Sequence, residues 1–119
     1  QRFYDSLVLK VPVIGALIQN HELGRFSYIL SLMLDSGVSY AHAVKLATST
    51  FSNSAFKESF EEASKRVIEG NKLSHALQRG RGVKPKRNFM QALALGEESS
   101  EVAQILSNIA SLYQEENDD

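Results

Sequence analysis

From Leu23 to Leu34 the apolar residues recur three and four positions apart. Leu23, Phe26, Ile29, Leu30, Met33 and Leu34 therefore share one side of an α-helix. The same spacing returns in later segments, and each is closed by glycine or by a small polar residue. A chain of 119 residues written this way folds as one packed set of helices.

The punctuation divides the chain. Gly37 follows the first periodic stretch as a left-handed stop. Ser39 is placed to cap a short second helix carrying Ala43, Val44, Leu46 and Ala47. Thr48 to Ser52 reads as a connector, and Asn53 as the cap of a third helix with Phe56, Phe60, Ala63 and Val67 inward. On its wet side Glu61–Lys65 and Glu62–Arg66 stand four residues apart. Gly70 ends it. A short fourth helix is expected over Ser74 to Arg79, closed by Gly80. Pro85 is expected to open a fifth, since proline loses nothing at the first helical position. Phe89, Met90 and Leu93 form its buried side and Gly96 its stop. A sixth helix carries Val102, Ile105, Leu106, Ile109, Leu112 and Tyr113.

The fold class is thus all-α, an antiparallel bundle of about six helices. The expected core is Phe26, Leu30, Leu34, Phe60, Val67, Leu93, Ile105, Leu106 and Ile109. Residues 1–18 differ. Val11 to Ile18 is nearly all apolar but broken by Pro12 and Gly15, which reads as an apolar lead-in strap ahead of a single helical domain over 19–119.

Several function classes drop out. There is no cysteine, so disulfide scaffolds, thiolate metal sites and cysteine nucleophiles are excluded. Thirteen Lys and Arg against fourteen Asp and Glu leave a net charge of −1, without the basic excess of a nucleic-acid binder. His21, His42 and His75 fall in different elements without the one-face spacing of a helical metal site. Gly80-Arg81-Gly82 lacks the Lys-Ser/Thr of a phosphate loop. No enzyme, cofactor or metal is expected. The chain starts at Gln1 rather than Met and reads as a piece of a longer protein.

The charges are unevenly spread. Arg79, Arg81, Lys84, Lys86 and Arg87 form a basic cluster, read either as a solvated loop or as a contact for an acidic partner or anionic headgroups. Glu97, Glu98 and Glu101 suit a helix N-terminus. Glu115, Glu116, Asp118 and Asp119 end a helix, where the dipole opposes them. A helix continuing in a longer parent is one explanation. A calcium ion bridging carboxylates is another, disfavoured because no twelve-residue calcium loop is present.

Several motifs occur in a telling order: Gly24-Arg25-Phe26, Leu34-Asp35-Ser36-Gly37-Val38-Ser39, Gly70-Asn71-Lys72-Leu73-Ser74-His75-Ala76-Leu77, Pro85, Met90 to Leu95, and Gly96-Glu97-Glu98-Ser99. In this order the chain resembles the cytoplasmic domain of the type II secretion F / type IV pilus C family of inner-membrane platform proteins. Leu9, Pro12 and Gly15 resemble the lead-in to the second of that family's two related helical domains. There are two departures. The family pattern has Gly where Ser100 stands, and Phe before the proline where Val83 and Lys84 stand.

The resemblance implies a non-enzymatic scaffold on the cytoplasmic side of the bacterial inner membrane. It would connect a hexameric assembly ATPase to pseudopilin or pilin polymerisation, with membrane helices flanking the domain. Gly37, Gly70, Pro85, Gly96, Glu97 and Ser99 are the motif residues it marks, and Arg79, Arg81, Lys84 and Arg87 are the expected partner contacts. For Glu97 a capping role and a contact role both stand. Pseudo-symmetric bundles often pair, so a homodimer is among the expected assemblies. The rival reading is a small soluble helical adaptor that binds a partner helix.

Overall fold

The computed structural model describes residues 12–118, with side chains described over 15–115. Among these residues there are six helices and no strand: α1 Pro12–Asp35, α2 Tyr40–Thr48, α3 Ser54–Ile68, α4 Leu73–Arg79, α5 Arg87–Ser99 and α6 Val102–Asp118. Each helix packs on the next in sequence, and α6 closes the ring by packing along α1 in the most extensive contact of the fold. The α1–α6 pair is antiparallel. A Cβ placed on Gly24 would lie 3.5 Å from Tyr113 Cβ, while Leu34 and Val102 border one groove. The start of α1 and the end of α6 therefore lie at one pole.

Two expected boundaries move. The strap over 1–18 falls outside the described residues up to 11, and from Pro12 onward it is helix rather than strap. Pro12 is the first helical residue, where its missing N–H costs nothing. Gly15 does not break α1, since one interior glycine costs only about 1 kcal/mol relative to Ala. The contacts of a long helix outweigh that. Pro85, expected as the first residue of the fifth helix, stands two residues before α5 and is buried in the loop.

Three helices end on a left-handed residue, and two of the three were legible as glycines. At Gly37 (φ 90°) the Val38 N–H donates to Met33 O at 3.0 Å and Gly37 N–H to Leu34 O at 3.1 Å. Gly70 (φ 107°) repeats the pattern, with Asn71 N–H donating to Arg66 O and Gly70 N–H to Val67 O. Both are Schellman stops, which satisfy carbonyls that the helix end leaves free. The third is Ser100 (φ 61°), not Gly96. Gly96, expected as a stop, lies inside α5, and Glu101 N–H donates to its carbonyl at 2.9 Å. Glycine is required there for space: an added Cβ would lie 3.0 Å from Val102 Cα and 3.4 Å from its nitrogen. At the other ends, Asn53 Oδ1 accepts from Ala55 and Phe56 N–H at 3.0 and 3.1 Å, whereas Ser39 caps α2 by position without a side-chain bond.

Five of the six phenylalanines form the centre. Phe26 stacks on Phe51 with ring centroids 5.3 Å apart and meets Phe60 edge-on at 4.8 Å; Phe51 lies 4.6 Å from Phe60. Such pairs add about 0.5–1.5 kcal/mol each beyond their burial. Of the expected core, Phe26, Leu30, Phe60, Val67, Leu93, Leu106 and Ile109 are buried. Leu34 and Ile105 are half-buried and belong to its rim. Phe51, assigned by sequence to a hydroxyl-rich connector, turns inward at 4% exposure. Tyr113 is fully buried at the α1–α6 seam and donates to Asn88 Oδ1 at 3.2 Å.

Candidate functional site

The basic segment between α4 and α5 does not act as one patch. Arg79, Arg81 and Arg87, the expected partner contacts, are exposed, which a solvated loop would share. Lys84 turns back and donates to Gly80 O and, at 3.4 Å, to Leu77 O, so its ammonium serves the C-terminal end of α4. Lys86 is more deeply committed. Its backbone N–H donates to Gln19 Oε1, its Nζ to Asn20 Oδ1, and its ammonium sits 4.3 Å from the Tyr113 ring centroid. The loop is thereby tied to both α1 and α6.

The three arginines face two directions. Arg79 and Arg81 line a cleft of about 580 Å³ with Glu58, Glu61, Glu62, Lys65 and Arg66 of α3. Arg87 borders a separate hollow of about 550 Å³ beside His75 and Pro85. Gly82 presses the loop onto α3, where an added Cβ would meet Ser59 Oγ at 2.2 Å.

Glu97 has a different office from the one its sequence position implies. Glu97 and Glu98 lie in the last turn of α5, where the helix dipole disfavours negative charge, and not at the start of the sixth helix. Across the fold, the N-terminus of α4 supplies the compensation. Glu97 Oε2 accepts from Leu73 N–H at 2.8 Å and from the Tyr40 hydroxyl at 2.6 Å. Oε1 accepts from Ser74 N–H at 3.1 Å and from Ser74 Oγ at 2.6 Å. Four bonds fill a carboxylate. Glu97 therefore caps α4 from another helix, doing what the side chain of Lys72 at its N-cap position does not do. Burial, reinforced by the Glu97 charge and their hydrogen bond, pushes the Tyr40 phenol far above its ordinary value.

Glu22 repeats the device at α3. It is 2% exposed, accepts from the Ser52 and Asn53 N–H groups, and pairs with Arg25. Arg25 also donates to Thr50 O at 2.9 Å and Ser52 Oγ at 3.2 Å, holding the connector so that Phe51 points inward. Sequence reasoning missed Glu22 and Tyr40 altogether. The only local trace was the i,i+3 spacing of Glu22 and Arg25.

The motif residues are thus mostly architectural. Gly37 and Gly70 end helices, Gly96 admits Val102, Glu97 caps α4, and Ser99 Oγ donates to Leu95 O at 2.8 Å. Pro85 is buried beside α4. The histidines are not brought together: His42 and His75 are exposed, and His21 Nε2 lies 3.0 Å from Arg25 Nη1. No group of three or more His, Cys, Asp and Glu able to hold a metal occurs among the described residues. No helix among them is long and apolar enough to cross a membrane.

Comparison with known proteins places this architecture. The family model for type II secretion system (T2SS), protein F, matches residues 26–119. A type IV pilus assembly protein PilC from Thermus thermophilus is 33% identical over 119 residues, covering 100% of this chain and 29% of the relative. A PilC from Pseudomonas aeruginosa is 30% identical over 99% of this chain and 32% of its own length. The type II secretion system protein F of the same organism is 28% identical over 90% of the chain and 26% of its length. The chain therefore spans about a third or less of each of these relatives. With the match extending over α2 to α6 and the C-terminal part of α1, the chain belongs to the type II secretion system protein F / type IV pilus assembly protein C family.

Proposed function

We propose that this domain is a non-enzymatic, cytoplasm-facing part of an inner-membrane platform protein, linking an assembly ATPase to pseudopilin or pilin polymerisation. The observation that carries the reading is the match of the family model to residues 26–119. The physical design agrees with it. A closed ring of helices around a dense aromatic centre resists deformation and passes displacement from one face to another. Its motif polar groups are consumed by capping, which leaves the exposed arginines for docking. Surface charges of that kind set orientation and association rate more than affinity. Secretion and pilus relatives both match, so the proposal covers either machine.

The test reverses Arg79, Arg81 and Arg87 to Glu in the domain and measures its binding to the cognate ATPase and to anionic vesicles. The helical signal and melting temperature should hold, because exposed charges add little to stability. ATPase binding should weaken, and more so at low salt. Lys84 and Lys86 are left intact, since changing them would disturb the fold. Unchanged ATPase binding in a folded variant would remove the arginines from the interface. Loss of vesicle binding alone would reassign them to the membrane surface.

A further inference from the structure

The pole away from the start of α1 has its own chemistry. The ends of α1, α3 and α5 meet there around one groove of about 680 Å³, bordered by Leu34, by Gly70 and Asn71, and by Ser100. Its apolar lining comes from Leu34, Ala41, Val67, Val102 and Ala103. Its one lining carboxylate among the described residues is spent, because Glu97 already accepts four hydrogen bonds, one of them from Tyr40. The groove is thus suited to apolar side chains and offers that carboxylate to no small polar ligand.

The rim is electronegative. The ends of α1, α3 and α5 and the starts of α2, α4 and α6 both border the groove, so their dipoles offset one another and the side chains set its charge. Asp35, Glu69 and Glu101, each next in sequence to a residue lining the groove, are exposed. Lys72 is the one cation lining it among the described residues. An apolar slot inside an acidic rim is the complement of a helix with one apolar stripe flanked by Lys or Arg.

We propose that this pole docks a basic amphipathic helix of a partner protein. The inference rests on the groove and its charges, and is independent of the platform reading and of the arginine surface, which faces other clefts. The partner's apolar side chains enter between Leu34, Val67 and Val102, while its cations meet Asp35, Glu69 and Glu101.

The probe is a fluorescein-labelled Leu/Lys amphipathic helix of about 14 residues, about 21 Å long, followed by anisotropy against the 119-residue chain. A Leu/Glu peptide with the same apolar pattern is the comparison. The Leu/Lys peptide should bind, the Leu/Glu peptide should not, and added salt should weaken binding. The variant Asp35→Asn/Glu69→Gln/Glu101→Gln should bind at least about tenfold more weakly with an unchanged circular dichroism spectrum. Ala103→Arg, which fills the groove, should do the same. If that change unfolds the chain, the surface triple variant decides alone. Equal binding of both peptides, or no binding of either, overturns the proposal. So does wild-type affinity in the triple variant together with loss in Glu115→Gln/Glu116→Gln, which would put the peptide on the C-terminal acidic run. Self-association of the chain alone, abolished by the triple variant, would make the occupant a second copy and overturn it too.

Discussion

Replacing Glu97 by Ala tests whether this motif residue is a tertiary helix cap. The substitution removes an acceptor that takes Leu73 N–H at 2.8 Å, Ser74 N–H at 3.1 Å, Ser74 Oγ at 2.6 Å and the Tyr40 hydroxyl at 2.6 Å. Loss of an N-cap alone costs about 0.5–2 kcal/mol. Each buried donor left without a partner adds about 1–3 kcal/mol. The two hydroxyls can rotate to other acceptors, but the two backbone N–H groups are fixed by α4. The expected loss is therefore about 2–4 kcal/mol, most of it from those two N–H groups. Urea unfolding followed by circular dichroism measures it as a lower midpoint with an unchanged slope. Glu97→Gln should fall between, because one end of the amide presents N–H to a donor that cannot turn. Exposed Glu98→Ala, one residue along the same turn, should change stability by less than about 0.5 kcal/mol. A Glu97→Ala loss no larger than that of Glu98→Ala would refute the capping account. Glu97 would then be a surface contact after all.

Other outcomes follow from the same geometry. Gly96→Ala should destabilise by about 1–3 kcal/mol through overpacking against Val102, whereas Ser100→Gly should stabilise by about 0.5–1 kcal/mol by relieving the left-handed residue; thermal melts of both variants check this, and a destabilised Ser100→Gly would contradict it. Leu106→Ala, at a side chain with 0% exposure, should cost about 2–5 kcal/mol in chemical denaturation. Tyr40 should make stability fall in alkali. Its folded phenol is raised, so its contribution is whole below the ordinary value of about 10 and drains away as pH rises above it, by up to about 1.4 kcal/mol per pH unit. The decline should be shallower in Tyr40→Phe, and equal slopes in the two proteins would contradict the burial of that hydroxyl.

What the sequence determined by itself was mostly set by contacts within a turn or two. Apolar spacing fixed the helical class and most of the inward faces, Asn53 announced the cap of α3, and Gly37 and Gly70 announced helix ends. These depend on backbone dihedrals and on hydrogen bonds spanning at most five residues, which neighbouring letters encode. Gly96 and Pro85 were misplaced because glycine and proline mark constraint without naming its kind. One makes room for Val102, and the other is buried in the loop before α5. Only the tertiary structure decided that Glu97 caps a helix 23 residues upstream and that Glu22 holds the N–H groups of residues 30 and 31 positions away. The same holds for Lys86, which looked like a member of a basic patch until its partner Asn20, 66 residues distant, was in place. A carboxylate or ammonium on a helix surface reads alike whether it meets water or a helix end. The difference lies in which elements the closed ring of helices brings beside it.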